Sequence, residues 1–182
     1  MCPLPGGTLS GRYLNYGAKA MDKAKTIALL NTAVADELQA VHQYMYFHFH
    51  LADQGFGPLA KLFKRIAIME MGHIEGFAER VLFLKGDVSM VPSGPVEPIT
   101  EPEAMLERAM AMETESADAY NLAALACGEN ADSASKQLFE QVVKDEESHY
   151  DQFEKQRDNI KRFGPSYLAL QSFGPGEAAP PA

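Results

Sequence analysis

The stretch IMEMGHIEGF, residues 68–77, decides how the rest of the chain is read. Glu70 and His73 stand three apart, a spacing that projects both side chains to one side of a helix. Between them lie Met71 and Gly72, and a glycine inside a helix costs about 1 kcal/mol relative to alanine. Alone, a Glu–His pair of this kind reads as a solvated face. Its neighbours say otherwise: Leu59, Phe63, Ile66, Phe77 and Leu84 continue the same face at helical spacing. The ionisable pair therefore sits in the middle of an apolar stripe.

Working outward, glycine and proline gather at residues 3–17, at VPSGPVEPITEP (91–102) and at GPGEAAPPA (174–182). The segments between them carry apolar residues with helical periodicity, and no strand pattern emerges. Helices are expected over 22–53, 58–86, 102–128 and 131–162, with a short fifth over SYLALQSF after Gly164-Pro165. The turns DQGFGP and CGENAD are short enough to make two antiparallel hairpins, and helices of this length run roughly 40 Å. The longer 86–102 link suits a crossover along the bundle. The expected fold is all-α: a four-helix bundle with one long crossover and a short C-terminal helix, spanning 22–171 between an N-terminal extension (1–21) and a C-terminal tail (172–182).

The other stripes repeat the interruption. Phe139, Val142, Glu146, His149, Phe153 and Ile160 share a face of the fourth helix; Val34, Glu37, Val41, Tyr44 and Leu51 share one on the first; Leu106, Ala109, Glu113, Tyr120, Ala124 and Cys127 share one on the third. Buried carboxylates must be protonated, paired or metal-bound, because an unpaired charge in the core costs several kcal/mol. A repeat then selects among the many glutamates. Glu37, Tyr44, Glu70 and His73 follow the pattern E-x6-Y-x25-E-x-x-H, and Glu113, Tyr120, Glu146 and His149 follow it again with identical spacing. Four carboxylates and two imidazoles converging from four helices match the donor set of di-iron or di-manganese carboxylate bundles. Four carboxylates also balance two divalent charges. Tyr44 and Tyr120, one helical step away, are either hydrogen-bond donors to the ligands or plain core, and for Tyr120 the plain-core reading is preferred.

Bulk composition excludes other classes. The chain of 182 residues carries a formal net charge of −9, which disfavours direct nucleic-acid binding. Cys2 and Cys127 are far apart, so neither a disulfide framework nor a zinc ribbon is supported. No apolar run suits a signal peptide or a membrane span, and the cytoplasm is the expected address.

ADELQAVHQYMYFH, IMEMGHIEGFAERVLFLKG, VVKDEESHYDQFEKQ and IKRFGPSYLAL together resemble the bacterioferritins over about residues 22–171. The resemblance implies a ferritin-like iron-storage shell of twenty-four copies built from dimers. It implies a ferroxidase that oxidises Fe(II) with O2 or H2O2 at an intra-subunit di-iron centre, with release served by a ferredoxin-type reductant. Glu37 and Glu113 would be terminal ligands, Glu70 and Glu146 bridging ones, and His73 and His149 one per iron. Met71 would be the haem ligand, paired with a second copy across a two-fold axis. A second apolar stripe (Leu38, Met45, Phe49 and Ala52 with Ala67, Met71, Ile74 and Ala78) is read as facing that interface. The alternative is a dimer packed through an adaptable methionine without haem. His42 and His48, near this face, are read as structural.

The chain departs from the family in places. Some members carry a His one turn before the bridging Glu of the second helix and an Asp directly before it, forming an inner-surface iron site; here those positions are Arg65 and Met69, which leaves the iron route open. Tryptophan is absent, so Tyr44 becomes the candidate electron donor. Cys127 is read as buried core and Cys2 as a thiol near the chain end. The competing class is a redox enzyme on the same bundle, such as a rubrerythrin-like peroxidase without storage, although no Cys-x-x-Cys motif occurs.

Overall fold

A computed structural model describes residues 20–173. It contains α1 (Lys23–Asp53), α2 (Gly57–Phe83), α3 (Pro102–Glu129), α4 (Ser133–Phe163) and α5 (Pro165–Gln171), with no strand among the described residues. The helix starts have local causes. Asp22 caps α1, its carboxylate accepting from the backbone N–H of Ala24 at 3.0 Å and of Lys25 at 3.3 Å. Asp132 caps α4 by accepting from Ser135 N at 3.1 Å. Pro58 and Pro102 sit in the first turns of α2 and α3, where a missing N–H costs nothing.

The ends are as local. Gly55 closes the α1–α2 turn at φ +84°, a conformation glycine adopts without strain. The second helix stops three residues earlier than its periodicity suggests. Lys85 swings to φ +69°, and Gly86 N–H then folds back to Val81 O at 3.0 Å. A Cβ at Gly86 would lie 2.8 Å from Ile27 Cγ2, so any larger residue there would force the Ile27 side chain to move.

Segment 84–101 runs parallel to α1, held by a row of side-chain amides. Asn31 exchanges bonds with Asp87 O and Ser89 N–H, both at 2.9 Å. Gln39 donates to Pro95 O at 2.7 Å, Gln43 donates to Glu97 O at 3.0 Å and accepts from Glu97 N–H at 2.7 Å, and Gln54 donates to Thr100 O at 2.9 Å. This strap carries the chain the length of the bundle, so α3 starts beside the C-terminal half of α1 and runs antiparallel to it. Buried Asn130 ties the far ends together, donating to Asp22 O at 2.7 Å and Thr26 Oγ1 at 3.0 Å.

The core divides into two apolar clusters. One is built around Tyr44, Phe47, Phe63 and Phe153, the other around Phe77, Tyr120, Phe139 and Val81. Two positions correct the stripe reading. Val41 is only half-buried, and the buried neighbour is Gln43, which the strap satisfies. Ala67, assigned to an outward stripe, is buried; its small side chain belongs to the core cluster around Phe63. Cys2 and most of the proposed N-terminal extension and C-terminal tail lie outside the described residues. No described helix is long and apolar enough to cross a membrane.

Candidate metal centre

Between the two aromatic clusters lies a layer of six ionisable side chains. Glu37, Glu70, Glu113, Glu146 and His149 are each at most 2 % exposed, and His73 is nearly buried. Each arrives from mid-helix with apolar residues a turn to either side, so long rigid helices, not loops, fix their positions. Donor atoms fall into two overlapping groups, Glu37–Glu70–His73–Glu146 and Glu70–Glu113–Glu146–His149, each with atoms within 4.8 Å of one another. Glu70 and Glu146 are common to both. His73 Nδ1 lies 2.8 Å from Glu70 Oε2, 3.2 Å from Glu146 Oε1 and 3.7 Å from Glu37 Oε1. His149 Nδ1 lies 3.0 Å from Glu70 Oε1, 3.6 Å from Glu113 Oε2 and 3.8 Å from Glu146 Oε2. The two imidazoles stack with centroids 5.9 Å apart.

Hydrogen bonding leaves this layer incomplete. Both oxygens of Glu70, Glu146 Oε1, His73 Nδ1 and both nitrogens of His149 are buried without a well-formed hydrogen bond. Orphaned polar atoms at such density are costly in a folded protein unless something else satisfies them. All six, moreover, belong to the donor set that the repeat singles out.

Without a cation the six groups must share protons. Burial, and then repulsion from Glu146, raises Glu37 well above the ordinary carboxylate range; burial does the same to Glu113. Burial alone would lower His149, but Glu113, Glu146 and Glu70 push it up to about 12. His73 moves upward for the same reason. Burial opposes ionisation of Glu146 as well, yet bonds from Glu113 and both histidines bring it below its ordinary value. The layer is thus an acidic cage that holds protons until a stronger cation displaces them.

Both tyrosines reach the cage, crosswise. Tyr44 OH donates to Glu113 Oε1 at 2.6 Å and Tyr120 OH donates to Glu37 Oε1 at 2.7 Å. Tyr120 is therefore more than core: it anchors a carboxylate across the bundle. One neighbour was missed by the sequence reading. Asp145 Oδ2 lies 3.5 Å from His73 Nε2, on the side of the ring away from the cage.

The remaining candidates lie outside the layer. Met71 is 56 % exposed and Phe49 62 % exposed. Gly72 has nothing within 4 Å of where a Cβ would stand, so packing inside the subunit does not require it. Arg65 donates to Gln152 at 2.7 Å, and Met69 is partly exposed. His48 bonds to Ala60 O at 2.9 Å, a structural role. Cys127 is buried, its thiol pushed up to about 11, as expected of a core residue. A surface cleft of about 270 Å³ between α3 and α4 is lined by Glu113 and Glu146 at its floor and by Thr114, Asp118, Asn121 and Glu147 above. It leads from solvent to two of the cage carboxylates.

Comparison with known proteins places this geometry among relatives. Residues 27–163 match the Ferritin-like domain family model. The chain is 38 % identical over 147 residues to the bacterioferritin of Desulfovibrio desulfuricans, covering 81 % of this chain and 82 % of that one. It is 37 % identical over 157 residues to the bacterioferritin of Rhodobacter capsulatus, covering 86 % and 97 %. Superposed on the X-ray structure of the D. desulfuricans bacterioferritin, described for its diiron site in different catalytic states, it gives a TM-score of 0.82 over 86 % of this chain and 94 % of the other, at 37 % identity. The R. capsulatus bacterioferritin structure, described with a metal-free dinuclear site and haem iron in a special position, gives 0.81 over 88 % and 100 %, at 35 % identity.

Proposed function

The chain belongs to the bacterioferritin family, and on that premise we propose that it is an iron-storage ferroxidase whose six cage residues bind the Fe(II) it oxidises. The observation that carries this reading is the pair of overlapping donor groups sharing Glu70 and Glu146, with six buried polar atoms lacking partners. Two Fe(II) ions are the substrates. Glu37 and His73 would hold one and Glu113 and His149 the other, with Glu70 and Glu146 between them. Four carboxylates neutralise two divalent charges and then favour the trivalent products, since hard anionic oxygen donors stabilise Fe(III) more than Fe(II). Each ion gives up one electron; two electrons and two protons convert O2 to H2O2, or H2O2 to two waters. Tyr44 and Tyr120 hold Glu113 and Glu37 in place through this change, and Tyr44 is the residue we assign as electron donor when only one Fe(II) is bound and a second electron is needed. The acidic cleft above Glu113 and Glu146 is the route we assign to incoming Fe(II), which answers the loss of an inner-surface site at Arg65 and Met69.

The same premise extends to storage and haem. The haem iron described for the R. capsulatus relative supports a haem here, with Met71 as its axial ligand. The thioether of Met71 is exposed and Gly72 beside it leaves open space, which fits a group held between subunits. A haem there would supply a redox centre for electrons passing to stored mineral. Ferric mineral inside a shell of twenty-four copies, and a ferredoxin-type reductant for its release, belong to the proposal, as does a cytoplasmic address. A storage-free peroxidase is not favoured.

Size fractionation followed by metal analysis and an absorption spectrum on the same particle tests this. A particle near twenty-four subunits, with up to two irons per subunit before mineral growth and a haem band, is expected. A dimer with two irons and no mineral would replace storage by enzyme chemistry; a large particle that never oxidises Fe(II) would remove the ferroxidase role.

A further inference from the structure

Around the cage the internal two-fold of this bundle is close, and among the contacts there it fails at His73 and its mirror, His149. The contact of Tyr44 with Phe63 (5.9 Å between centroids) is mirrored by that of Tyr120 with Phe139 (5.8 Å), Tyr44 with Phe153 (5.4 Å) by Tyr120 with Phe77 (5.5 Å), and Phe63 with Phe153 (4.9 Å) by Phe77 with Phe139 (5.0 Å). The crossed tyrosine bonds match, and so do two of the three imidazole–carboxylate distances. His73 to Glu146 is 3.2 Å and its mirror, His149 to Glu70, is 3.0 Å; His73 to Glu37 is 3.7 Å and its mirror, His149 to Glu113, is 3.6 Å. The third pair breaks the symmetry. His73 lies 2.8 Å from Glu70 on its own helix, whereas His149 lies 3.8 Å from Glu146 on its own.

Behind the rings the difference is chemical. Asp145, directly before Glu146, puts Oδ2 3.5 Å from His73 Nε2. The mirror position, directly before Glu70, is Met69, which offers no carboxylate. His149 Nε2 is buried with no hydrogen-bond partner among the described residues.

An imidazole that binds a cation through one nitrogen carries its proton on the other. A carboxylate accepting that proton fixes the tautomer, aims the ring and makes the bound nitrogen a better donor. His73 has a carboxylate within 3.5 Å of its outer nitrogen to take this role, and His149 has none among the described residues. We infer that the two halves of the cage are unequal: the position at His73 takes a divalent cation first and holds it more tightly, and Met69 sets the difference. Asp145 and Met69 are thus positioning residues, acting through the histidines. The inference rests on the dinuclear reading of the cage, and its size follows from what loss of such an outer partner costs in other metal sites, about 10–100-fold in affinity.

Titrating the metal-free full-length protein with Co(II), followed by calorimetry and by the cobalt absorption bands, tests it without any oxidation step. Two steps per subunit are expected, separated by about 10–100-fold. His73→Ala should remove the tight step and His149→Ala the weak one. Met69→Asp should close the gap by raising the weak step, Met69→Asn should close it partly, and Met69→Leu should leave it open. Asp145→Met should close it from the other side by lowering the tight step. Two equal steps in the unaltered protein would overturn the inequality, and a gap unmoved by both acceptor variants at Met69 would overturn the role of Met69; either result leaves a dinuclear cage standing. No binding step at all would overturn the dinuclear reading, and this inference with it.

Discussion

Glu146→Ala is the substitution that separates a shared ligand from an ordinary one. Glu146 belongs to both donor groups and Glu37 to only one. Removing Glu146 should therefore disable both cation positions, while removing Glu37 should disable one. Alanine suits the middle of a helix, so helix content should hold. A cation present at 100 times its dissociation constant stabilises the folded state by about 2.7 kcal/mol per site, or roughly 5 kcal/mol for two. In a chain of this size 1 kcal/mol moves Tm by about 2–4 °C, so Co(II) should raise the Tm of the unaltered protein by about 10–20 °C. Glu37→Ala should keep about half of that rise and Glu146→Ala almost none. Fast Fe(II) oxidation should fall in Glu146→Ala by more than the roughly 100-fold that loss of a mere outer partner costs. Differential scanning calorimetry with and without Co(II), and stopped-flow Fe(II) oxidation, provide the readouts. Two bound cations per subunit in Glu146→Ala, or an unaltered oxidation rate, would refute the shared-ligand assignment.

Replacing Met71 by leucine should remove haem and leave shell size unchanged; a haem band persisting in Met71→Leu would exclude that residue as axial ligand. Tyr44→Phe and Tyr120→Phe should each destabilise the metal-free protein by about 1–3 kcal/mol, because a buried carboxylate loses its donor. Near-neutral values in urea melts would return both tyrosines to plain packing. The metal-free protein should also lose stability as pH rises. Folded-state values raised above the unfolded ones, as burial does to Glu37 and Glu113 and the carboxylates do to His149, confer stability that is complete below the unfolded pKa and fades above it. Glu146, shifted downward, matters only in more acid solution. Between about pH 5 and pH 8 the metal-free Tm should therefore fall, while the rise induced by Co(II) grows. A metal-free Tm that climbs over this range would contradict proton sharing in the cage.

The helices, their pairing and the six-residue cage were legible because each depends on spacing along one helix: apolar residues every three or four positions, and Glu with His three apart on the same stripe. What escaped depends on contacts between distant segments. Nothing in the local sequence marks Asn31, Gln39 and Gln43 apart on α1, yet their amides bond the backbone of the strap. Ala67 has the spacing of an outward residue, but its size lets it sit in the core. Tyr120 looked like filler because its acceptor, Glu37, comes from the first hairpin. Asp145 was hidden within the charged run KDEES, where nothing local distinguishes a residue that reaches within 3.5 Å of His73 from one facing water.

The strap from residue 84 to 101 has a meaning beyond its hydrogen bonds. Each hairpin brings one tyrosine, two glutamates and one histidine, so two identical hairpins meeting face to face would already enclose a pair of cations. Such an assembly would be bound to strict equality, since any change in one half would appear in the other. A covalent tether releases that constraint: once the halves are joined, methionine can stand at 69 while aspartate stands at 145, and a single polypeptide can give the two halves of its cage different neighbours.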